Sequence, residues 1–259
     1  MTAASGSNRA LVNSEFERAA ATFGERTAGR FDRLDVVRFS RVKAEALVAE
    51  VGAGTGNFLA LFAGIAARRV AVDLTEGMSR VARERDPTIE AVVADGAGLP
   101  LASRSIDLVA SAQALHHIPD PLPVVKEMRR ALAPGGHVLI MDQVAPERFE
   151  EALAMTELEV IRDPSHAVSR PPSALVMIVR AAGLEIVDRR MSESTDLLSK
   201  WMWPGEFPDE RIDAVRSFVE RRGDETGMGF EREGDDWTFT RRRFMVLAER
   251  AGPAGSAYS

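Results

Sequence analysis

The chain has 259 residues, 45% hydrophobic and 28% charged, which excludes a disordered, collagenous or coiled-coil protein and leaves room for one large α/β domain or two small ones. Lys and Arg number 33 against 39 Asp and Glu, a formal charge of −6 and the wrong sign for a dedicated polyanion binder, so nucleic acid is not an expected partner. With no Cys, disulfide frameworks, thiolate metal sites and cysteine nucleophiles drop out together.

Met1 to Asn13 is rich in Ser, Ala and Asn without an apolar core, and reads as a frayed start rather than a secretory signal. From Asn13 to Lys43, apolar residues recur at helical spacing, which predicts two helices before the first strand; there Phe16 and Phe23 either pack on the core or lid a pocket. Ala46 to Val51 is a short apolar strand, broken at once by Gly52-Ala53-Gly54-Thr55-Gly56. Phe58 to Ala67, the longest apolar stretch, has ten residues, about half of the roughly 20 that span a bilayer, and predicts a buried helix. No membrane partner and a cytoplasmic location are the default expectations.

Arg69 to Asp73 predicts a second strand, Glu76 to Arg85 a polar helix ended by Asp86-Pro87, and Ile89 to Ala94 a third strand. Ile106 to Ala110 makes a fourth; Pro121 to Leu132 is a helix stopped by Pro134-Gly135-Gly136, and His137 to Met141 is the fifth strand. Strands alternating with helices in this way argue for a parallel sheet. Further on, Ser173 to Ala182 predicts a helix closed by Gly183, Leu184 to Asp188 a strand, Glu210 to Arg222 a charged helix and Trp237 to Leu247 a last strand. Trp201, Trp203 and Trp237 fall in the stretch expected near the acceptor side of a pocket, where packing also accounts for them. Gly252 to Ser259 reads as a disordered tail.

Three glycines at alternate positions where a strand turns into a helix let the backbone take positive φ and let a ligand approach with no Cβ in the way. A dinucleotide fingerprint runs G-x-G-x-x-G, and Asn57 stands where its third glycine belongs, so a pyrophosphate fits less well. Asp73, at the end of the second strand, is placed to accept both hydroxyls of a ribose, or is simply a solvated strand-end acid. Asp95, followed by Gly96, can accept from an exocyclic amine. Among the histidines, His116, His117 and His166 are candidates for removing a proton near neutral pH. Adjacent residues on a helix point about 100° apart, so one of His116 and His117 is expected to face a pocket, and with Asp120 they make a poor metal chelate, so no metal is expected. Arg221-Arg222 and Arg241-Arg242-Arg243 are expected to lie on a solvated face with neighbouring acids.

Glu50-Val51-Gly52-Ala53-Gly54-Thr55-Gly56, Val72-Asp73, Ala94-Asp95-Gly96, Ile106-Asp107-Leu108-Val109, Ala114-Leu115-His116-His117-Ile118 and Leu132-Ala133-Pro134-Gly135-Gly136 resemble the successive motifs of class I S-adenosylmethionine (SAM)-dependent methyltransferases. The subgroup is the one that includes the ubiquinone/menaquinone-biosynthesis enzymes. The resemblance implies a Rossmann-like α/β fold with a seven-stranded, mostly parallel sheet in the order 3-2-1-4-5-7-6, helices on both faces, and SAM across the carboxyl ends of the strands. By it, Glu50 and Gly52, Ala53, Gly54 and Gly56 face the methionine part of SAM, Asp73 the ribose, Leu74 and Met78 the adenosyl group, and Asp95 with Gly96 the adenine. Ser111, Ala112 and Gln113 supply contacts to the ammonium, Ala112 and Gln113 standing where a serine and an aliphatic residue are usual.

The implied layout is a single domain over 1–259, with a helical lid over 1–43, a SAM-binding core over 44–145, an acceptor-side half over 146–251 and a tail over 252–259. The implied activity is methyl transfer to an oxygen or carbon of a small-molecule acceptor, aromatic or polyketide-like, by a monomer or homodimer. A non-methylating reaction on the same fold (rearrangement, decarboxylation or hydroxylation), a SAM-binding pseudoenzyme and a nicotinamide-dependent oxidoreductase stay open at this point.

Overall fold

The computed structural model describes residues 3–202 and 207–252 of the chain, with side chains from residue 8 onward. Trp203 and positions 253–259 of the expected tail lie outside the described residues. Strands β1 (Leu47–Val51), β2 (Arg68–Asp73), β3 (Ile89–Val93), β4 (Ile106–Ala112) and β5 (Leu132–Gln143) run parallel, joined by β6 (Leu184–Leu197) and β8 (Asp236–Arg250) in the order β3-β2-β1-β4-β5-β8-β6. β8 is antiparallel to both neighbours. This is the expected Rossmann-like order with one addition: β7 (Glu231–Glu233) folds back on β8 as an eighth strand.

Alternation along the strands explains the two main cores. Ala49, Val51, Val70, Val72, Val138 and Ile140 point to one face, where α4 (Leu122–Ala131) and α6 (Pro172–Ala181) cover them. Val48, Ala71, Leu108, Leu139 and Met141 point to the other and meet α2 (Val36–Ser40) and the segment carrying Phe58, Leu59 and Phe62. A third cluster unites α5 (Phe149–Arg162), α7 (Leu198–Trp201), α8 (Asp209–Arg222) and β8 through Leu158, Trp201, Phe218 and Phe239. Trp201 therefore serves packing, with its ring beneath the Arg162 guanidinium at 4.6 Å. Helix α3 (Glu76–Arg85) has the expected bounds.

Three expectations change. Phe58 to Ala67 forms only a 3₁₀ turn at Leu59–Phe62, because Gly64 turns the chain at φ 74° and the segment buries Phe58, Leu59 and Phe62 in one direction. The start is helical, since α1 (Ala3–Arg26) begins about where fraying is expected. Pro134 to Gly136 does not precede β5 but bulges within it: Ile106 pairs with Leu132, and Leu108 with His137.

Helix α1 gains its order from tertiary contacts. Its Asn8 side chain donates to the Ser165 carbonyl at 3.2 Å, Arg9 is ion-paired with Asp95, and the Glu17 carboxylate accepts the Gly77 N–H at 2.9 Å. Glu17 thereby supplies negative charge to the start of α3, where Thr75 makes no side-chain cap. Among the described residues no helix is long and apolar enough to cross a membrane.

Phe62 is fully buried between the sheet and α2, so Phe62→Ala is expected to cost about 3–5 kcal/mol in urea unfolding. A loss below about 1 kcal/mol would mean that the segment repacks and does not anchor this core.

Candidate active site

The carboxyl ends of β1, β2, β3 and β4 open into a cavity of about 760 Å³, roofed by α1. At its floor, the chain leaves β1 through Gly52 at φ 72°, where an added Cβ would lie 2.5 Å from that of Ala114. The turn is tied to β2: one Asp73 carboxylate oxygen accepts the Gly54 N–H at 2.8 Å and the other accepts the Thr75 N–H at 2.9 Å. Burial raises the Asp73 carboxyl and those two amides hold it back, leaving spare lone pairs on a group that lines the cavity.

Of the residues singled out in the sequence, Glu50, Gly52, Ala53, Gly54, Asp73 and Leu74 line this cavity, and so do Met78, Asp95, Gly96, Ala112 and Gln113. Two do not. Gly56 turns toward the packing of β3, where an added Cβ would meet Ile89 Cδ1 at 3.0 Å, and Ser111 is buried behind the wall with its hydroxyl unpartnered. Asp95 caps a short 3₁₀ turn by accepting the Ala97 N–H at 2.9 Å.

Glu50 is buried at 1% exposure and its Oε2 has no hydrogen-bond partner. Burial, with Asp73 nearby, pushes its carboxyl well above the usual range, and Arg30 opposes the rise. A buried carboxylate in this state calls for a cation beside it.

Behind the cavity, a recess of about 110 Å³ continues past Phe16, Phe23, Gln113 and both His116 and His117. The sequence predicts one inward histidine on an α-helix, yet both line the recess, from a 3₁₀ turn at Leu115–His117. The His116 ring nitrogen Nδ1 lies 2.5 Å from Asp142 Oδ1, and the other Asp142 oxygen accepts the His116 backbone N–H at 2.9 Å. Burial holds His116 well below the usual imidazole range and pushes Asp142 up to about 6, while the Gln143 and His116 amides restrain Asp142. At neutral pH the carboxylate can only accept, so the His116 proton sits on Nδ1 and Nε2 keeps its lone pair.

His117 is set by a longer relay. Its Nδ1 meets Ser165 Oγ at 3.1 Å, and that hydroxyl donates to Asp163 at 2.6 Å. Its ring meets Phe16 of α1 edge-on at 4.9 Å. His166 lines neither space: it stacks behind His116 at 5.3 Å, with Nε2 on Ser169 Oγ at 3.1 Å and Nδ1 unpartnered. Arg241 and Arg243 are also not on a solvated face. The Arg241 side chain is only 20% exposed, and both point inward, while Arg242 between them pairs with Glu193 at 2.9 Å.

Sequence reasoning missed Asp142, the Ser165–Asp163 relay and Arg30. A signal for Asp142 existed: β4 and β5 are neighbours, so an acid ending β5 meets the turn that leaves β4.

Residues 49–140 match the family model described as a methyltransferase domain. The uncharacterized methyltransferase YcgJ of Bacillus subtilis (strain 168) is 26% identical over 195 residues, which cover 73% of this chain and 77% of that one. A demethylmenaquinone methyltransferase of Renibacterium salmoninarum is 29% identical over 60% of this chain and 63% of its own. Among solved structures, YcgJ superposes with a TM-score of 0.77 at 22% identity, covering 84% of this chain and 97% of that one. A phosphoethanolamine N-methyltransferase of Haemonchus contortus, solved in complex with S-adenosyl-L-methionine, gives a TM-score of 0.62 at 19% identity, covering 91% of this chain and 57% of that one.

His166 offers a test of this buried cluster. Burial lowers it from 6.5 to about 3, so between those values the unfolded chain binds a proton that the folded chain does not, and its contribution to stability rises with pH across that window. The His166→Gln variant is expected to lose up to about 1.4 kcal/mol per pH unit from the slope of unfolding free energy between pH 4 and 6. An unchanged slope would show that His166 is protonated in the folded protein.

Proposed function

We propose, from the premise that the chain is an S-adenosylmethionine-dependent methyltransferase, that it methylates an oxygen or carbon of a small-molecule acceptor, with His116 taking the acceptor's proton. The observation that supports this most is the His116–Asp142 pair at 2.5 Å, which leaves Nε2 free on the wall of a recess adjoining the large cavity.

The residues present suit this cofactor. When bound, it supplies an electrophilic methyl group on a positively charged sulfur. The buried, unpartnered Glu50 carboxylate calls for a cation at the glycine turn, and the cofactor carries two, an ammonium and a sulfonium. Asp73 keeps lone pairs for ribose hydroxyls, Met78 and Leu74 give apolar surface, and Asp95 with Gly96 stands at the far end for the adenine. Gly54, Ala53, Ala112 and Gln113 complete the wall.

His116 Nε2 would accept the acceptor's proton and so leave the acceptor atom nucleophilic toward the methyl group that the bound cofactor would supply. Asp142 stabilises the imidazolium that forms and fixes the ring's tautomer. His117, held through Ser165, orients the acceptor beside it. Phe16 and Phe23 of α1 close over the site and exclude water, and their faces favour an aromatic or otherwise flat acceptor.

Removal of Asp73 as an acceptor in Asp73→Ala is expected to weaken SAM binding roughly ten- to a hundredfold in calorimetry, corresponding to about 1.5–3 kcal/mol. His116→Asn and Asp142→Asn should each lower kcat by about 10²–10⁴ while SAM affinity stays near that of the parent. If His116→Asn keeps parental kcat, the proton goes elsewhere and this assignment fails. One S-adenosylhomocysteine per turnover is the expected product.

A further inference from the structure

Among the described residues, the recess next to the large cavity is lined by Arg18, Arg26, Arg30 and Arg162 and by the acids Glu15 and Asp163. Both acids are committed. Glu15 is paired with Arg18 and lies 3.5 Å from Arg211, while Asp163 accepts the Ser165 N–H at 2.9 Å and its hydroxyl at 2.6 Å. Arg162 is satisfied by buried Glu159 at 2.9 Å.

Arg30 is different. Among the described residues its side chain makes no hydrogen bond or ion pair, and its guanidinium stands 5.5 Å from the centre of the Phe31 ring. It lines both the recess and the large cavity. Behind it on β8 are Arg241, whose acid is Asp196 at 3.5 Å, and Arg243, which donates to Ser194 Oγ at 3.3 Å. Of the nearby acids, Asp142 is occupied by His116 and by the Gln143 amide, and Glu50 lies at the glycine turn. Burial and the Arg241 and Arg243 charges press Arg30 down to about 9. A guanidinium keeps its proton in proteins, so such crowding calls for a counter-charge.

A second donor waits on the same wall. The Gln113 carboxamide nitrogen has no partner, and its backbone sits at φ 56°, a left-handed conformation that side-chain-bearing residues seldom take. The Gln113 N–H donates to the Met141 carbonyl at 2.7 Å, which holds that strained turn in place. Gln113 lines the recess as well as the large cavity, next to both histidines.

The geometry points to an acceptor that carries an anionic oxygen group, a carboxylate or a phosphate ester, seated in this recess between Arg30 and Gln113 with its reacting atom turned toward His116. The inference rests on the methyl-transfer reading above. It is carried by two side-chain donors on one wall, Arg30 and Gln113, for which the described residues offer no acceptor. A planar, forked guanidinium matches either anion with two parallel hydrogen bonds.

The test uses the full chain saturated with S-adenosylhomocysteine, so that the cofactor's own carboxylate is already seated. Benzoate, phenyl phosphate and neutral benzyl alcohol are titrated by ligand-observed NMR. At least one anion is expected to bind about tenfold more tightly than the alcohol, with a preference that shrinks as salt is added. Arg30→Met and Gln113→Leu should each remove most of that preference, and Arg30→Lys, which keeps the charge, should retain part of it. Anions that bind no more tightly than benzyl alcohol, or not at all, overturn the inference, as does full preference in Arg30→Met. If S-adenosylhomocysteine itself fails to bind the parent protein, the methyl-transfer reading falls, and this inference with it.

Discussion

A single carboxylate joins the parts of this molecule on which the rest depends. Asp73 ends β2 and grips the Gly54 amide of the turn after β1, while its other oxygen holds Thr75 at the approach to α3. Charge-assisted bonds of this kind are worth roughly 1.5–3 kcal/mol each when buried, enough to fix a turn whose glycines would otherwise be free to move. With that turn set, Glu50 is trapped beneath it and the cavity acquires its floor. The same carboxylate therefore shapes the protein before any ligand arrives and faces the space a ligand would fill.

The structure divides the work between two bodies of side chains. The parallel strands and their two covering layers build a rigid edge for the large cavity. The third cluster, under α5, α7 and α8, supports the recess from the other side, with Trp201 and Phe239 behind Arg162. Positions that hold charge in the recess are thus backed by aromatic packing, which fixes long side chains that would otherwise lose considerable rotamer entropy on being ordered.

Much of this was legible in the amino-acid order because the signals were local. The strand from Arg69 to Asp73, the helix from Glu76 to Arg85 and the Gly183 stop are governed by short-range periodicity and turn chemistry, and they stand where those rules put them. What could not be read locally depended on distant partners. Phe58 to Ala67 is apolar enough for a helix, yet burial in a core shared with α2 favours a tight turn. Met1 to Asn13 carries no helical signal of its own; from Ala3 onward the helix is held by the ties from Asn8, Arg9 and Glu17 to Ser165, Asp95 and Gly77. His116 and Asp142 stand 26 positions apart, and only the pairing of β4 with β5 brings them together. Arg241 and Arg243 read as surface charge until β6 is placed beside them.

The fastening of α1 sets how the interior communicates with solvent. The helix is tied by the partly exposed Arg9–Asp95 ion pair, by the Asn8, Glu15 and Glu17 contacts and by the Asn57 amide on the Gly24 carbonyl, and its aromatic side chains line the site. None of these polar ties is strong alone, so salt, which screens Arg9 from Asp95, is expected to loosen the roof before the sheet beneath it.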